Sequence, residues 1–153
     1  MSEDRSKTTK STKNRAFIYD LVLISVSAAL ITICSWISIP LGPVPFTLQT
    51  LGILAVMLTI GGRRGTIAIL VYLALGAVGV PVFAGFGGGV GILFGSTGGY
   101  IWGFLLIGLI YILFTRLFGK KIVVKVAALI LGLIVCYAFG TAWFMHVYIQ
   151  NSI

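Results

Sequence analysis

Charged side chains are scarce in this sequence of 153 residues, and their scarcity excludes most soluble folds. Asp, Glu, Lys and Arg together make up 9% of the residues, hydrophobic residues make up 59%, and mean hydropathy is +1.12. A soluble domain carries about a quarter of its residues as charges, so this chain lacks the polar surface that covers a globular core. We predict one membrane domain.

Side chains that carry chemistry are equally few. The sequence holds three acidic residues, one histidine (His146) and two cysteines, Cys34 and Cys136. The cysteines have no CxxC spacing and are predicted to be buried free thiols. Asp20 is predicted to lie at a helix mouth, with an intramembrane proton or cation site as the alternative. Because the sequence has no carboxylate pair, Ser-His-Asp set or metal-ligand cluster, we predict no enzymatic activity, no cofactor and no metal.

Long apolar runs make up most of the chain. A membrane-spanning helix needs about 20 apolar residues, and the sequence predicts five spans, at about 16–39, 46–60, 66–80, 100–118 and 126–148. The second and third are short. Either their outer ends continue as non-helical loops that line a cavity, which we favour, or the pair forms a shallow hairpin. The fold class is all-α, a polytopic membrane helix bundle.

Basic residues fall on one side of this predicted bundle. If the five spans alternate, the N-terminal tail (residues 1–15), the turn at residues 63–64 and the turn at residues 120–121 share a face that carries all eleven Lys and Arg residues. The positive-inside rule makes that face cytoplasmic. We predict a multi-pass protein of the cell membrane with a disordered, cytoplasmic N-terminal tail. This distribution also argues against a nucleic-acid-binding face.

Two polar or irregular stretches lie on the opposite predicted face. In the first, two prolines disfavour a helix, and Thr47, Gln49 and Thr50 then offer hydrogen-bond donors and acceptors. The second, residues 85–99, contains eight glycines but lacks the Lys-Ser or Lys-Thr ending of a phosphate loop. It is predicted to fold back over the bundle, with a flexible linker as the alternative. Since this face has no Lys or Arg, we predict a site for a small, largely neutral solute with an apolar part.

Four motifs carry a family resemblance that covers the chain from about Ala16 onward. They are GPVPFTLQT at residues 42–50, GGRRG at 61–65, LGAVGVPVFAG at 75–85 and GSTGGY at 95–100. Together they resemble the BioY family, the biotin-binding S components of energy-coupling-factor (ECF) vitamin transporters. The resemblance implies a six-helix bundle, of which this sequence supplies five spans, and capture of biotin from the extracytoplasmic side. It also implies two kinds of partner, a transmembrane T component and a pair of cytoplasmic ATPases.

The resemblance also suggests which residues contact biotin. Seven residues are predicted to form the site: Thr47 and Gln49 at the ureido ring, Phe46 and Phe83 on the apolar body, and Gly98, Gly99 and Tyr100 as lining near the fourth span.

Small residues on the first span are the predicted contact with the T component. The family carries an AxxxA pattern there, and Ser25 and Ala29 are the corresponding residues, which preserve small-xxx-small packing. The family's sixth helix, preceded by an Asp and a Lys that resemble contributors to carboxylate binding, has no counterpart before Ile153. The alternatives are a membrane packing subunit without a ligand and a truncated chain that no longer binds biotin.

Overall fold

A computed structural model describes residues 1–152, apart from the side chains of Ser2 and Asp4. Over these residues the chain forms six α-helices: α1 (Ser2–Trp36), α2 (Gln49–Ile60), α3 (Gly62–Val78), α4 (Val90–Phe94), α5 (Gly98–Phe118) and α6 (Ile122–Asn151). A two-stranded antiparallel ribbon joins α1 to α2, with β1 (Ser38–Ile39) paired to β2 (Phe46–Thr47), and a 3-10 turn covers Ala84–Phe86. The predicted all-α class is confirmed.

Helix lengths divide the bundle into long and short members. Helices α1, α5 and α6 are long and apolar enough to cross a membrane. Helix α2 has 12 residues and α3 has 17, which at about 1.5 Å per residue fall short of a hydrocarbon core of roughly 30 Å. Helix α2 starts at Gln49 rather than at residue 46 because Pro43 and Pro45 disfavour helix and residues 46–47 pair with β1.

The basic N-terminal residues continue helix α1, whereas the sequence predicted a disordered tail. The hydroxyls of Thr9 and Thr12 donate to carbonyls one turn earlier, at 2.8 and 3.0 Å. Lys, Arg and Glu are good helix formers, and lengthening an existing helix costs less than nucleating one. The apolar part of α1 therefore serves as the nucleus for a helix that begins at Ser2.

The helices pack in a row, α1 on α3, α3 on α5 and α5 on α6, while α2 lies beside α1, α3 and α5. Buried apolar side chains fill the space between them, among them Ile31, Ile53, Met57, Ile69 and Ile107. Large apolar side chains also cover the outside, as on α5 and α6: Leu109, Leu113, Ile130 and Ile134. A bundle that is apolar both inside and outside suits a lipid environment.

Glycines bring α5 and α6 into close contact. A Cβ atom on Gly103 would lie 2.6 Å from the Cys136 Sγ and 3.2 Å from its Cα, and one on Gly132 would lie 3.1 Å from the Ile107 Cα. Small residues that let backbones approach are the usual basis of helix association in membranes, where lipid offers little hydrophobic driving force. The glycines of the spans therefore set the spacing of these two helices.

One ion pair links α1 to α3 at the end of the bundle that carries the basic turns. An Arg64 Nη atom lies 2.6 Å from an Asp20 carboxylate oxygen, and both side chains are 42% exposed. Exposed ion pairs contribute up to about 1 kcal/mol. Asp20 thus lies at a half-exposed position with a cationic partner, which agrees with the helix-mouth interpretation.

We predict that Gly103→Ala destabilises the protein by about 1–3 kcal/mol, because the added methyl group has to displace Cys136 or separate the helices. Thermal unfolding in detergent measures the effect. Gly91→Ala is the control, since a Cβ atom there has no neighbour within 4 Å. Equal stability of the two variants would contradict the close α5–α6 contact.

Candidate functional site

The segment between α3 and α4 folds back over the end of α3. Gly79 ends α3 in the left-handed region, with φ at +109°, and the Val80 N–H donates to the Leu75 carbonyl at 3.1 Å. Such a cap reverses the chain, and glycine adopts its dihedrals without strain. The Gly89 N–H then returns to the Gly76 carbonyl at 2.6 Å. The predicted folding back is confirmed, and its short helix α4 buries Leu93.

Phe83 anchors this segment. Its ring lies directly on Gly76, in space that a Cβ atom would need. It also meets the Tyr72 ring edge to face, with centroids 5.5 Å apart, a geometry that aromatic rings favour. Phe83 is 2% exposed, so the contact fixes the segment to the core of the bundle.

The end of α1 holds the same segment from the other side. The Ser35 hydroxyl donates to the Val82 carbonyl at 2.5 Å, and the Trp36 Nε1–H donates to the Pro81 carbonyl at 2.9 Å. The Trp36 ring also lies 5.0 Å from the Phe86 ring. Val82 is buried, and buried carbonyls need such donors, so α1 satisfies a backbone group that the loop would otherwise leave unpaired.

A cavity of about 430 Å³ lies between these loops and the first turns of α2 and α5. Its wall is formed by Leu41, Val44, Pro45, Phe46, Thr47, Gln49, Thr50, Phe83, Ala84, Ile92, Thr97, Tyr100, Ile101, Phe104, Cys136 and Tyr137. None of these lining residues carries a formal charge. The volume falls within the range of roughly 300–1,000 Å³ that small-molecule sites occupy.

The cavity brings together five of the seven residues that the sequence predicted. Phe46, Thr47, Gln49, Phe83 and Tyr100 all line it. Gln49 is 5% exposed, whereas Phe46 is 61% exposed. The amide therefore lies deep in the site, and one aromatic ring lies near the surface.

Gly98 and Gly99 do not line the cavity. A Cβ atom on Gly98 would collide with the Leu93 carbonyl, and one on Gly99 would collide with the Trp143 side chain. Their missing side chains face α4 and α6, because successive residues on a helix point in different directions. The two glycines therefore permit packing around the site and are not part of its wall.

Helix α6 supplies a wall that the sequence analysis missed. Tyr137 and Cys136 lie there, and the Tyr137 ring meets the Tyr100 ring edge to face at 6.0 Å. The hydroxyls of Tyr100 and Thr141 lie 3.1 Å apart. Both cysteines are free, and Cys136 is buried as predicted, whereas Cys34 is only partly buried. Nothing in the sequence marked this stretch of α6 as facing a cavity.

Tyr72 was also missed, although it touches a predicted site residue. The Gln49 Nε2 donates to the Tyr72 hydroxyl at 2.9 Å, and Tyr72 is fully buried. A tyrosine hydroxyl inside an apolar span needs a hydrogen-bond partner. That requirement was the available signal, since Tyr72 lies in the middle of the third predicted span.

The predicted partner residues lie outside the cavity. Ser25 and Ala29 are both exposed on α1, and they share one face because they are four residues apart. The Ser25 hydroxyl donates to the Leu21 carbonyl at 2.8 Å within its own helix. At these two positions the outward face of α1 therefore carries small side chains and little polar surface.

The fold and the cavity define a class: a polytopic membrane protein with a ligand-sized, uncharged cavity at one end of its helix bundle. Residues 5–152 match the BioY family, and the chain belongs to this family.

Two relatives illustrate the match. A biotin transporter BioY of Thermotoga maritima is 50% identical over 86 residues, which are 56% of this chain and 51% of that protein. A biotin transporter BioY2 of Lactococcus lactis subsp. cremoris is 38% identical over 126 residues, 82% of this chain and 69% of that protein. The chain thus spans about half the length of the first relative and about two thirds of the second.

A solved structure shares the fold. It is the crystal structure of the S-component for biotin from an ECF-type ABC transporter, with a TM-score of 0.75 and 28% sequence identity. The match covers 86% of this chain and 74% of that one. The ECF S-component-like bundle predicted from the sequence is confirmed, and the chain is a multi-pass membrane protein.

We predict that Phe83→Ala destabilises the protein by about 3–5 kcal/mol, because it removes a buried ring from its contacts with Gly76 and Tyr72. Phe94→Ala is the control, since Phe94 is 61% exposed. Thermal unfolding in detergent compares the two. A smaller loss for Phe83→Ala than for Phe94→Ala would contradict the anchoring role of Phe83.

Proposed function

We propose that this protein captures biotin in the cavity as the substrate-binding S component of an ECF-type transporter. The observation that carries the proposal is that the cavity wall contains both polar and aromatic side chains. The polar groups belong to Thr47, Gln49 and Thr50, and the rings belong to Phe46, Phe83 and Phe104. Sites for small ligands combine a mostly apolar lining with a few placed polar groups. Biotin likewise has a polar part and an apolar part, a ureido ring fused to an apolar body.

Gln49 and Thr47 are the proposed partners of the ureido ring. An amide and a hydroxyl supply both donors and acceptors, as a group with two N–H donors and one carbonyl acceptor requires. Phe83, held in place by Gly76 and Tyr72, packs on the fused ring, and Phe46 on the aliphatic chain. Tyr100 closes the site from α5. Gly98 and Gly99 act indirectly, because they let α4 and α6 pack against α5.

The carboxylate of biotin is proposed to lie at the mouth of the cavity. No lining residue carries a charge, and an unpaired carboxylate is costly to bury. Phe46 and Leu41 are 61% and 76% exposed, so the ribbon side of the cavity is open. There the carboxylate keeps water as its partner while the ureido ring enters first.

The cavity is proposed to open on the extracytoplasmic side, with the N-terminus in the cytoplasm. It lies at the starts of α2 and α5, whereas Arg63–Arg64 and Lys120–Lys121 follow their ends. Basic turns favour the cytoplasmic side. The ATP-driven step is assigned to partner proteins, a T component and two ATPases, because the chain has no phosphate-binding loop.

Ser25 and Ala29 are the proposed contact with the T component. Both are exposed on α1 and neither lines the cavity. Small residues four apart allow a partner helix to approach closely. Docking and ligand capture are therefore assigned to separate surfaces.

We expect Gln49→Ala to weaken biotin binding at least tenfold, because the ureido ring loses its deepest hydrogen-bond partner. Binding of labelled biotin to the purified chain in nanodiscs measures the change. Thr59→Ala is the control on the same helix, since Thr59 is exposed and its hydroxyl bonds only to carbonyls of α2. If Gln49→Ala binds biotin as tightly as Thr59→Ala does, Gln49 has no role in capture.

We expect Ala29→Leu to reduce association with the T component about tenfold or more and to leave biotin affinity within twofold, because the larger side chain separates the two helices. Co-purification with a tagged T component and its ATPases gives the readout. Ala127→Leu, at an exposed alanine on α6, is the control. Equal recovery of the partner with both variants would eliminate α1 as the docking surface.

A further inference from the structure

Tyr72 is not part of the cavity wall, yet it contacts two side chains that are. The Gln49 Nε2 donates to its hydroxyl at 2.9 Å, and its ring meets the Phe83 ring edge to face, with centroids 5.5 Å apart. Gln49 and Phe83 both line the cavity, whereas Tyr72 is fully buried and does not. One side chain on α3 therefore supports a polar part and an aromatic part of the site from outside the cavity.

The Gln49 amide depends on this contact. Within the described part of the chain, the Gln49 side chain makes no hydrogen bond other than the one to Tyr72. A free glutamine side chain samples many rotamers, and holding it in one of them costs conformational entropy. Gln49 is 5% exposed, so removal of the acceptor would leave a buried donor unpaired. The hydroxyl of Tyr72 is thus the group that keeps the amide in place.

Tyr72 is itself held firmly by the packing around its ring. Tyr72 and Gly76 are four residues apart on α3 and share one face of that helix. The Phe83 ring lies across this face, on Gly76 and against the edge of the Tyr72 ring. Close-packed interiors leave a buried ring little freedom. A rigid helix therefore presents the Tyr72 hydroxyl to α2 at a fixed point.

We propose that Tyr72 is a positioning residue for ligand capture, whose hydroxyl holds the Gln49 side chain at the deep end of the cavity and whose ring fixes Phe83. This inference rests on the proposed capture of biotin and adds a residue that does not touch the ligand. An amide that is ordered before the ligand arrives loses less conformational entropy on binding. Tyr72 therefore contributes to biotin affinity through the residues that it holds.

The test is a double-mutant cycle between Tyr72→Phe and Gln49→Ala, with dissociation constants for labelled biotin measured on the full chain in nanodiscs. Phenylalanine keeps the ring contact with Phe83 and removes only the hydroxyl. We expect Tyr72→Phe to raise the dissociation constant of the otherwise unmodified chain about fivefold or more, because the Gln49 amide loses its partner. In the Gln49→Ala background the same substitution should change it less than about twofold, since the group that Tyr72 holds is already absent.

Two further variants separate positioning from a general structural effect. Tyr111→Phe is the matched control: Tyr111 is buried, its ring lies against Gly62 at the opposite end of the bundle, and its hydroxyl has no partner among the described residues. It should leave biotin affinity within about twofold in both backgrounds. Tyr72→Leu also removes the ring, so it should weaken binding in the Gln49→Ala background too, because Phe83 loses its edge-to-face partner.

The outcomes are distinct. An equal effect of Tyr72→Phe in the two backgrounds would show that the hydroxyl acts independently of Gln49, which would overturn the positioning role and leave biotin capture standing. The role is also overturned if Tyr72→Phe binds biotin as tightly as the unmodified chain, if Tyr111→Phe weakens binding as much, or if thermal unfolding shows that Tyr72→Phe no longer folds. Unchanged affinity in Gln49→Ala would remove both the role of Gln49 and this inference. Failure of the unmodified chain to bind biotin would overturn the proposed function, and this inference with it.

Discussion

The packing of the Phe83 ring on Gly76 is the contact on which the cavity end of this bundle depends. Any side chain at residue 76 would occupy the place of the ring, and the ring brings the preceding carbonyls within reach of Ser35 and Trp36. The same ring meets the Tyr72 ring edge to face, and the Tyr72 hydroxyl accepts a hydrogen bond from the Gln49 Nε2. A single close contact between a loop and a helix thus positions both the α3–α4 segment that lines the cavity and the deepest polar group of the cavity, the Gln49 amide.

The thickness of the bilayer explains why such a loop exists at all. Helices α2 and α3 are too short to span the hydrocarbon. The ribbon segment at residues 37–48 and the segment at residues 79–97, which is irregular apart from the 3-10 turn and the short helix α4, complete the layer. Irregular backbone is tolerated at that depth only where it is buried in protein or lines a cavity. The short helices and the cavity are therefore two results of one constraint, and the hydrogen bonds from Ser35 and Trp36 satisfy the backbone that the constraint exposes.

The sequence predicted the features that follow from composition and from local backbone chemistry. Apolar runs indicated the helices, Pro43 and Pro45 the break before α2, and glycine-rich residues 85–99 the returning loop. Rotation about a helix axis is set by packing across the bundle, and no local signal encodes it. For that reason Gly98 and Gly99 were expected in the cavity wall and instead face neighbouring helices, while Tyr137 on α6 was not expected there.

The position of biotin in an experimental structure, determined on this chain with the vitamin present, tests the central claim most directly. We predict ligand density between the first turns of α2 and α5, with the ureido ring within hydrogen-bond distance of the Gln49 amide and the carboxylate toward the exposed Phe46. An empty cavity at saturating biotin, or density at another surface of the bundle, would contradict it.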